Sequence, residues 1–269
     1  LRPQQIDFAL SQRSGPTQCL QSPLGVGYSG KIRYSEMATS PYRVCCTRHW
    51  RIGEKCLDVR AVMEYGHGLF NSRAESGDHF LQKMANDERY VITAMDWRGM
   101  SVFDLLVVAK VLLASPHMFE SIRDNLIQGY CAKLALQDFS RRALLSMDWF
   151  DFDGAARVAV DATSVNFVFY GISQGGILGA GYMGLSGGLP NMIDRGILGV
   201  PGTPFALVMS RSLDFKGYDA LMLLNFYNNR HVRIFLSIAQ MAWDSVEASG
   251  VLAQPLSEPV PRLLLQGGL

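Results

Sequence analysis

Residues 171–175 of this 269-residue chain read Gly-Ile-Ser-Gln-Gly, which places Ser173 in the spacing G-x-S-x-G. Residues 167–170 before it are aromatic and β-branched, and a short apolar run of this kind predicts a buried strand. Residues 177–185 after it are small and apolar, and we expect them to form a helix. A serine at a tight turn between a strand and a helix exposes its hydroxyl, as nucleophilic attack on a carbonyl carbon requires.

Steric crowding explains the two glycines of this pattern. A turn that projects Ser173 strains the backbone, and side chains at Gly171 and Gly175 would collide with their surroundings. The helix that follows presents free N–H groups and a positive dipole end at its N-terminus. The N–H of Gln174 is therefore a candidate donor to a tetrahedral oxyanion. A glycine-rich loop with an incidental serine is the alternative.

A second glycine-flanked turn follows the predicted strand at residues 59–65, where residues 66–70 read Gly-His-Gly-Leu-Phe. Ligands of open α/β sheets bind at the carboxyl ends of the strands. The N–H of Leu69 is therefore the candidate second oxyanion donor, and His67 is expected to orient the turn and not to act as the base. A plain strand-to-loop turn remains the alternative.

The remaining pattern predicts alternating strands and helices. We expect strands at residues 90–95, 196–200 and 262–266, and helices at residues 102–114 and 119–146. Asp96 and Arg98 flank a tight turn after the strand at 90–95, where such pairs usually fix a loop.

Two segments stand apart from this core. Residues 1–58 are rich in turns and in short β-like runs, and they predict a β-rich N-terminal lead-in to a core at residues 59–269. Residues 203–250 predict a helical cap rich in methionine and aromatic residues, which are suited to line an acyl pocket. Simple packing of these helices against the sheet is the alternative.

Composition argues against several classes of protein. The net charge of +1 without a long basic run gives no sign of a nucleic-acid surface. The pattern G-x-G-x-x-G at 179–184 lies inside a predicted helix, and Asp194 comes too early for a dinucleotide site, so we interpret these glycines as close helix-to-sheet packing. The uncharged run 165–191 is long enough for a membrane span, but its glycine density argues against a transmembrane segment. No cofactor is indicated.

The five cysteines show no metal-ligand spacing. Cys45, Cys46 and Cys56 are close enough in sequence for one disulfide, and isolated thiols fit the spacing equally well. Cys131 is expected on a core helix.

Three segments carry a family resemblance: Y-G-H-G-L-F at 65–70, D-W-R-G-M-S at 96–101 and G-I-S-Q-G-G at 171–176. Over residues 59–269 the chain resembles the α/β-hydrolase superfamily. More narrowly, it resembles secreted bacterial hydrolases of the esterase or lipase type. The resemblance implies a mostly parallel sheet with helices on both faces and a secreted or periplasmic location. It also implies a carboxyl-ester substrate that forms an acyl-enzyme on Ser173, with Leu69 and Gln174 as the oxyanion hole.

The sequence departs from this family in its catalytic acid and histidine. Both are implied after the strand at 262–266, whereas the printed sequence stops at Leu269 and His231 is its only histidine after Ser173. We therefore expect a missing C-terminal segment or a second chain to supply the acid and the base. A non-catalytic binding module is the alternative of a different class, and a peptidase or acyltransferase on the same scaffold is not separable from an esterase by sequence.

Overall fold

The fold alternates strands and helices along the chain. The computed structural model describes residues 42–45, 51–52, 55–56, 59–142, 144, 165–187, 193–252 and 262–267. The strands are β1 (Tyr42–Cys45), β2 (Arg51–Ile52), β3 (Lys55–Cys56), β4 (Ala61–Gly66), β5 (Tyr90–Met95), β6 (Asn166–Ile172), β7 (Arg195–Gly199) and β8 (Arg262–Gln266). The helices are α1 (His79–Glu88), α2 (Leu105–Ala114), α3 (Glu120–Arg142), α4 (Gln174–Gly187), α5 (Phe205–Met209), α6 (Lys216–Asn225), α7 (Asn229–Trp243) and α8 (Ala248–Val251).

Six strands form one sheet in the order β1-β5-β4-β6-β7-β8. β1 runs antiparallel to β5, and every other neighbouring pair in this sheet is parallel. One face of the sheet packs against α1 through Leu81 and Ala85, and side chains of α3 and α4 join the core on the other face. This is the mostly parallel, α/β-hydrolase-like architecture with helices on both faces that the sequence predicts.

Most predicted elements lie close to the observed ones. The predicted strands at 90–95 and 262–266 coincide with β5 and β8, and the predicted helix at 119–146 corresponds to α3. The helix predicted from residue 102 begins later, because Val102–Asp104 form a 3-10 turn before α2. The Asp104 carboxylate accepts the N–H groups of Gly99 (2.9 Å) and Ser101 (3.0 Å), so this turn caps the loop that leaves β5.

The N-terminal region is only partly described. β1 lies within the predicted lead-in and extends the edge of the main sheet, whereas β2 and β3 form a separate two-stranded sheet. The domain boundary at residue 58 stays a prediction. Residues 1–41 of the predicted lead-in and the side chains of Cys45, Cys46 and Cys56 lie outside the described residues, whereas Cys131 is buried on α3, as expected.

Small residues let α4 approach the sheet closely. A Cβ at Gly179 would lie 2.4 Å from the ring of Phe169, and one at Gly181 would lie 2.9 Å from the carbonyl oxygen of Val246. Gly179 thus packs against the sheet, as predicted, whereas Gly181 packs against the 3-10 turn Asp244–Val246.

A buried ion pair lies between the sheet and its helices. Lys133 of α3 and Glu64 of β4 are both fully buried, and the Nζ donates to Glu64 Oε1 at 3.1 Å. The Tyr182 hydroxyl of α4 donates to Glu64 Oε2 at 2.7 Å, and the ammonium lies 4.1 Å from the ring centroid of Trp97. Burial raises the pKa of Glu64, and the neighbouring Lys133 opposes that rise. The carboxylate therefore depends on this lysine to stay charged in the core.

We expect Lys133→Met to lower the free energy of unfolding by about 3–5 kcal/mol, because it leaves a buried carboxylate without its counter-charge. The measurement is urea unfolding followed by circular dichroism. Lys83→Met is the matched control: Lys83 forms an exposed pair with Asp87 on α1, and its loss should cost less than about 0.5 kcal/mol. Equal effects of the two substitutions would contradict the expectation.

Candidate active site

The turns after β4 and β6 meet at one edge of the sheet. Gly66 pairs with Gly171, and Ile172 pairs with Gly199, so neighbouring strands end at the same level. The predicted site residues Leu69, Ser173 and Gln174 follow these strand ends directly. The structure therefore brings both candidate turns to the carboxyl edge, where open α/β sheets bind ligands.

Ser173 occupies the turn between β6 and α4 in a left-handed backbone conformation, with φ at 55°. Its N–H donates to the carbonyl of Gly199 at 3.0 Å, and its own carbonyl accepts the N–H groups of Gly176 and Ile177 at 2.9 and 3.0 Å. Residues other than glycine rarely adopt this conformation. The turn is therefore held by hydrogen bonds to β7 on one side and to the first turn of α4 on the other.

The glycines on either side of Ser173 are required by backbone contacts. A Cβ at Gly171 would lie 2.2 Å from the carbonyl oxygen of Gly175, and a Cβ at Gly175 would lie 2.0 Å from the carbonyl oxygen of Gly66. No side chain fits at such distances, so the spacing G-x-S-x-G follows from the approach of α4 to the ends of β4 and β6.

Both candidate oxyanion donors lie beside this turn. Within the described ranges the N–H groups of Leu69 and Gln174 donate to no other group of the protein. Gln174 begins α4, so its N–H belongs to the helix N-terminus, where negative charge is stabilised. The catalytic role of Ser173 and the oxyanion role of these two N–H groups stay predictions.

The turn at 67–70 is fixed by a carboxylate that the sequence analysis did not identify. Glu75 accepts the N–H of Gly68 at 3.0 Å and the hydroxyl of Tyr65 at 2.8 Å. The N–H of Gly68 is engaged in this way, whereas the next N–H, that of Leu69, stays available to a ligand. Glu75 lies in a polar stretch without periodicity, so no local signal marks it.

His67 ties the same turn to the end of β5. Its Nδ1 lies 2.9 Å from the carbonyl of Gly68, and its Nε2 accepts the N–H of Trp97 at 2.9 Å. These bonds require a neutral ring with the proton on Nδ1. Burial lowers the pKa of His67 to about 4, which favours that neutral form. His67 therefore orients the turn, as the sequence analysis expected.

The loop after β5 is joined to both turns. The side chain of Gln174 donates from Nε2 to the carbonyl of Met100 at 2.8 Å. Asp96 accepts the backbone N–H of Arg73 at 2.6 Å and also its guanidinium, whereas Arg98 donates to Asn125 at 3.1 Å. Asp96 and Arg98 thus act as structural residues that fix loops, and Met100 is a contact that the sequence did not reveal.

An apolar pocket that opens to solvent lies next to these loops, and the space between its walls together with its opening is about 520 Å³. Phe70 and Met100, which adjoin the two turns, line its wall, and the rest of the wall comes from α2, the start of α3, and α5 to α7. Its one amide side chain, Gln240, is bonded to its neighbours: Oε1 accepts the N–H of Ala206 (2.9 Å), and Nε2 donates to Glu247 (2.6 Å). The pocket therefore suits a group without polar atoms.

The predicted cap residues divide between this pocket and the surface. Phe205, Met209 and Trp243 line the pocket. Met222 is buried elsewhere in the core, whereas Tyr227 and Met241 are 97% and 75% exposed. The sequence did not separate these sets, because the packing of α5, α6 and α7 against one another decides which side chains line the pocket.

The described histidines and acids provide no evident base for Ser173. His79, His117 and His231 are exposed, and His231 lies in the first turn of α7 with its ring 6.5 Å from that of Tyr227. Asp194 accepts the N–H of Phe167 at 2.6 Å, at the start of β6 and hence at the opposite edge of the sheet. Within the described ranges no group of three or more His, Cys, Asp or Glu side chains could hold a metal ion.

We expect the free energy of unfolding to fall as the pH drops from 6.5 towards 4. His67 binds a proton near pH 6.5 in the unfolded chain and only near pH 4 in the fold, so acid favours unfolding across this window by roughly 3 kcal/mol in total. Urea unfolding of the wild type and of His67→Gln across this window measures the effect. The substitution should flatten the dependence, and the exposed His79→Gln should leave it unchanged.

Known proteins similar to this chain were found among solved structures. No protein-family model and no curated protein matches the chain. Among solved structures, the chain is similar to acetyl xylan esterase 1 from Thermoanaerobacterium sp., at 11% identity and a TM-score of 0.46, over 84% of this chain and 62% of the other. A lipase in its open form gives 11% identity and a TM-score of 0.43, over 85% and 75% of the two chains.

A third match, the acylaminoacyl peptidase of Pyrococcus horikoshii, covers 98% of this chain and 31% of the other, at 14% identity and a TM-score of 0.40. The chain thus spans less than two thirds of the esterase and about a third of the peptidase. At these TM-scores the matches do not support an assignment of the fold. That assignment rests on the strand order of the sheet and on the turns at its carboxyl edge. The chain has an α/β-hydrolase-like fold.

Proposed function

We propose that the chain carries the nucleophile and the oxyanion hole of a serine carboxyl-ester hydrolase. The observation that carries this proposal is the left-handed conformation of Ser173 between β6 and α4, beside two N–H groups that no described acceptor engages. A strained serine at the N-terminus of a helix has its hydroxyl free for attack and has donors nearby for the charge that develops.

The reaction would proceed through an acyl-enzyme. The Ser173 hydroxyl attacks the ester carbonyl while a base removes its proton, and the N–H groups of Leu69 and Gln174 stabilise the resulting oxyanion. Collapse of this intermediate expels the alcohol, which takes the proton from the base. Water, deprotonated by the same base, then attacks the acyl carbon, the bond to the Ser173 oxygen breaks, and that oxygen takes back the proton as the carboxylic acid is released.

The apolar pocket is the proposed site of the acyl chain. It begins at Phe70 and Met100, next to the loops that hold both oxyanion donors, and its wall is almost entirely apolar, with Gln240 bonded to its neighbours. A hydrocarbon chain loses no hydrogen bonds there and gains apolar burial. The proposed substrates are therefore small-molecule esters whose acyl chain is apolar and longer than acetyl.

The base and the acid are proposed to come from a segment outside the described ranges or from a second chain. A general base must come within hydrogen-bond reach of the serine hydroxyl. His67 is engaged on both ring nitrogens, and the other described histidines are exposed. The same observation favours a second candidate function, a non-catalytic module that binds an apolar ligand in the pocket.

A fluorophosphonate separates these two functions. We expect intact-mass analysis to show one adduct per chain on the native protein and none on Ser173→Ala. Ser210→Ala, which removes an exposed serine at the end of α5, is the matched control and should label normally. Labelling requires an activated serine, so an adduct lost only in Ser173→Ala supports the hydrolase. Absence of labelling in a folded native sample whose intact mass includes the segment or chain that brings the base would contradict it and leave the binding module.

We expect Ala239→Leu to slow the reaction of Ser173 with long-chain reagents more than its reaction with short-chain reagents. Ala239 is buried on α7 and lines the pocket, so a larger side chain there occupies the space of several methylene groups. The rate of labelling by an octyl fluorophosphonate, relative to an ethyl one, should fall by about tenfold or more. Ala220→Leu on the exposed side of α6 is the control, and an unchanged ratio in Ala239→Leu would exclude this pocket as the acyl site.

A further inference from the structure

The helices that enclose the pocket expose apolar side chains to solvent. Thirteen of the nineteen large hydrophobic side chains that are exposed within the described ranges lie in residues 102–118 and 205–243. We call this set the outer helical surface. Its members are Val102, Phe103, Leu106, Val107, Met118, Leu207, Leu213, Leu223, Leu224, Tyr227, Ile234, Ile238 and Met241.

These side chains have no role in the core of the chain. On α2, Val108 and Leu112 line the pocket while Leu106 is 86% exposed, and on α7, Ala239 lines the pocket while Ile238 is 61% exposed. A helix on the surface of a globular protein ordinarily carries polar residues on its outward side. Large exposed apolar patches mark sites of interaction.

The outer helical surface is formed by helices that contact one another. α2 packs against α6, α6 against α7, and α7 against α5. The side chain of Asn225 at the end of α6 donates to the carbonyl of Leu112 on α2 at 2.9 Å, which fixes the first of these contacts. The apolar side chains therefore belong to one layer over the pocket and are not scattered over the molecule.

Positive charge accompanies the apolar side chains. The same segments expose Lys110, Arg211, Lys216, Arg230 and Arg233, and none of these forms an ion pair within the described part of the chain.

Negative charge on these segments is scarcer. Asp214 is their exposed acid and Asp219 is half-buried. Asp104 and Asp244 accept hydrogen bonds from neighbouring groups. The layer is thus apolar and net cationic.

We propose that the outer helical surface binds the surface of an anionic lipid bilayer. Exposed Ile, Leu, Met and Tyr side chains can enter the boundary between headgroups and acyl chains, and lysine and arginine then contact the lipid phosphates. A second copy of the chain fits less well, because a two-fold contact would bring the same cationic layers against each other. The pocket that we assign to the acyl chain lies directly beneath this layer.

Vesicle co-sedimentation tests this proposal without reference to catalysis. The probe is vesicles of phosphatidylcholine and phosphatidylglycerol in equal parts, compared with vesicles of phosphatidylcholine alone. We expect the full chain to bind the mixed vesicles at low salt. Binding to neutral vesicles should be weaker by about tenfold or more. Ser173→Ala should bind as the wild type does, so failure of the proposed hydrolase and failure of lipid binding are distinguishable.

Two sets of substitutions locate the binding surface. The triple variant Ile234→Ser, Ile238→Ser, Met241→Ser and the double variant Arg230→Gln, Arg233→Gln should each weaken binding by about tenfold or more. Phe80→Ser is the matched control, because Phe80 is 58% exposed on α1, which packs on the opposite face of the sheet. The charge variant keeps the test decisive if the triple variant does not fold.

Several outcomes would overturn the proposal. They are absence of binding to the mixed vesicles, equal binding to neutral vesicles, and a loss with Phe80→Ser as large as that with the α7 variants. A dimer in sedimentation that disappears in the triple variant, together with no vesicle binding, would show that a second copy covers the layer.

Discussion

The close contact between the start of α4 and the ends of β4 and β6 is the constraint on which the site depends. The main chain of α4 contacts the main chain of these strand ends at distances that exclude a Cβ at Gly171 and Gly175. This contact forces the chain to turn sharply at Ser173 and sets the helix N-terminus against the turn at 67–70. The nucleophile candidate and both oxyanion candidates are thus positioned by the same packing of main chain, and side-chain contacts then hold the loops in place.

Trp97 connects this edge of the sheet to the charged pair in the core. Its backbone N–H bonds to Nε2 of His67, its indole N–H donates to the carbonyl of His67 at 3.2 Å, and its ring lies over the ammonium of Lys133. The turn that carries Leu69 therefore rests on an aromatic ring, and that ring covers a buried cation paired with Glu64. Each of these groups is a hydrogen-bond, cation–π or ion-pair partner of the next. We therefore expect a substitution at Lys133 or Glu64 to disturb the turn through Trp97.

Patterns of neighbouring residues predicted the sheet and the turn at Ser173. Contacts between residues that are far apart in sequence could not be predicted. β5, β8 and the glycine spacing depend on neighbours in sequence, so the pattern alone indicates them. Tyr182 meets Glu64 across 118 positions, and Gln174 meets Met100 across 74, and neither pairing has a local signature. α7 was predicted only as part of a cap, because which of its residues line the pocket depends on its packing against α5 and α6, and that packing has no local signature.

The conformation of Ser173 argues for chemistry over simple binding. A serine at φ of 55° costs free energy that glycine would not, and the close packing of α4 would tolerate a glycine at the same position equally well. A binding module needs only the N–H groups at the turn, which any residue supplies. A serine hydroxyl at a strained turn between a strand and a helix is the arrangement that the proposed hydrolase requires. For the proposed hydrolase, the base would come from a segment outside the described ranges or from a second chain.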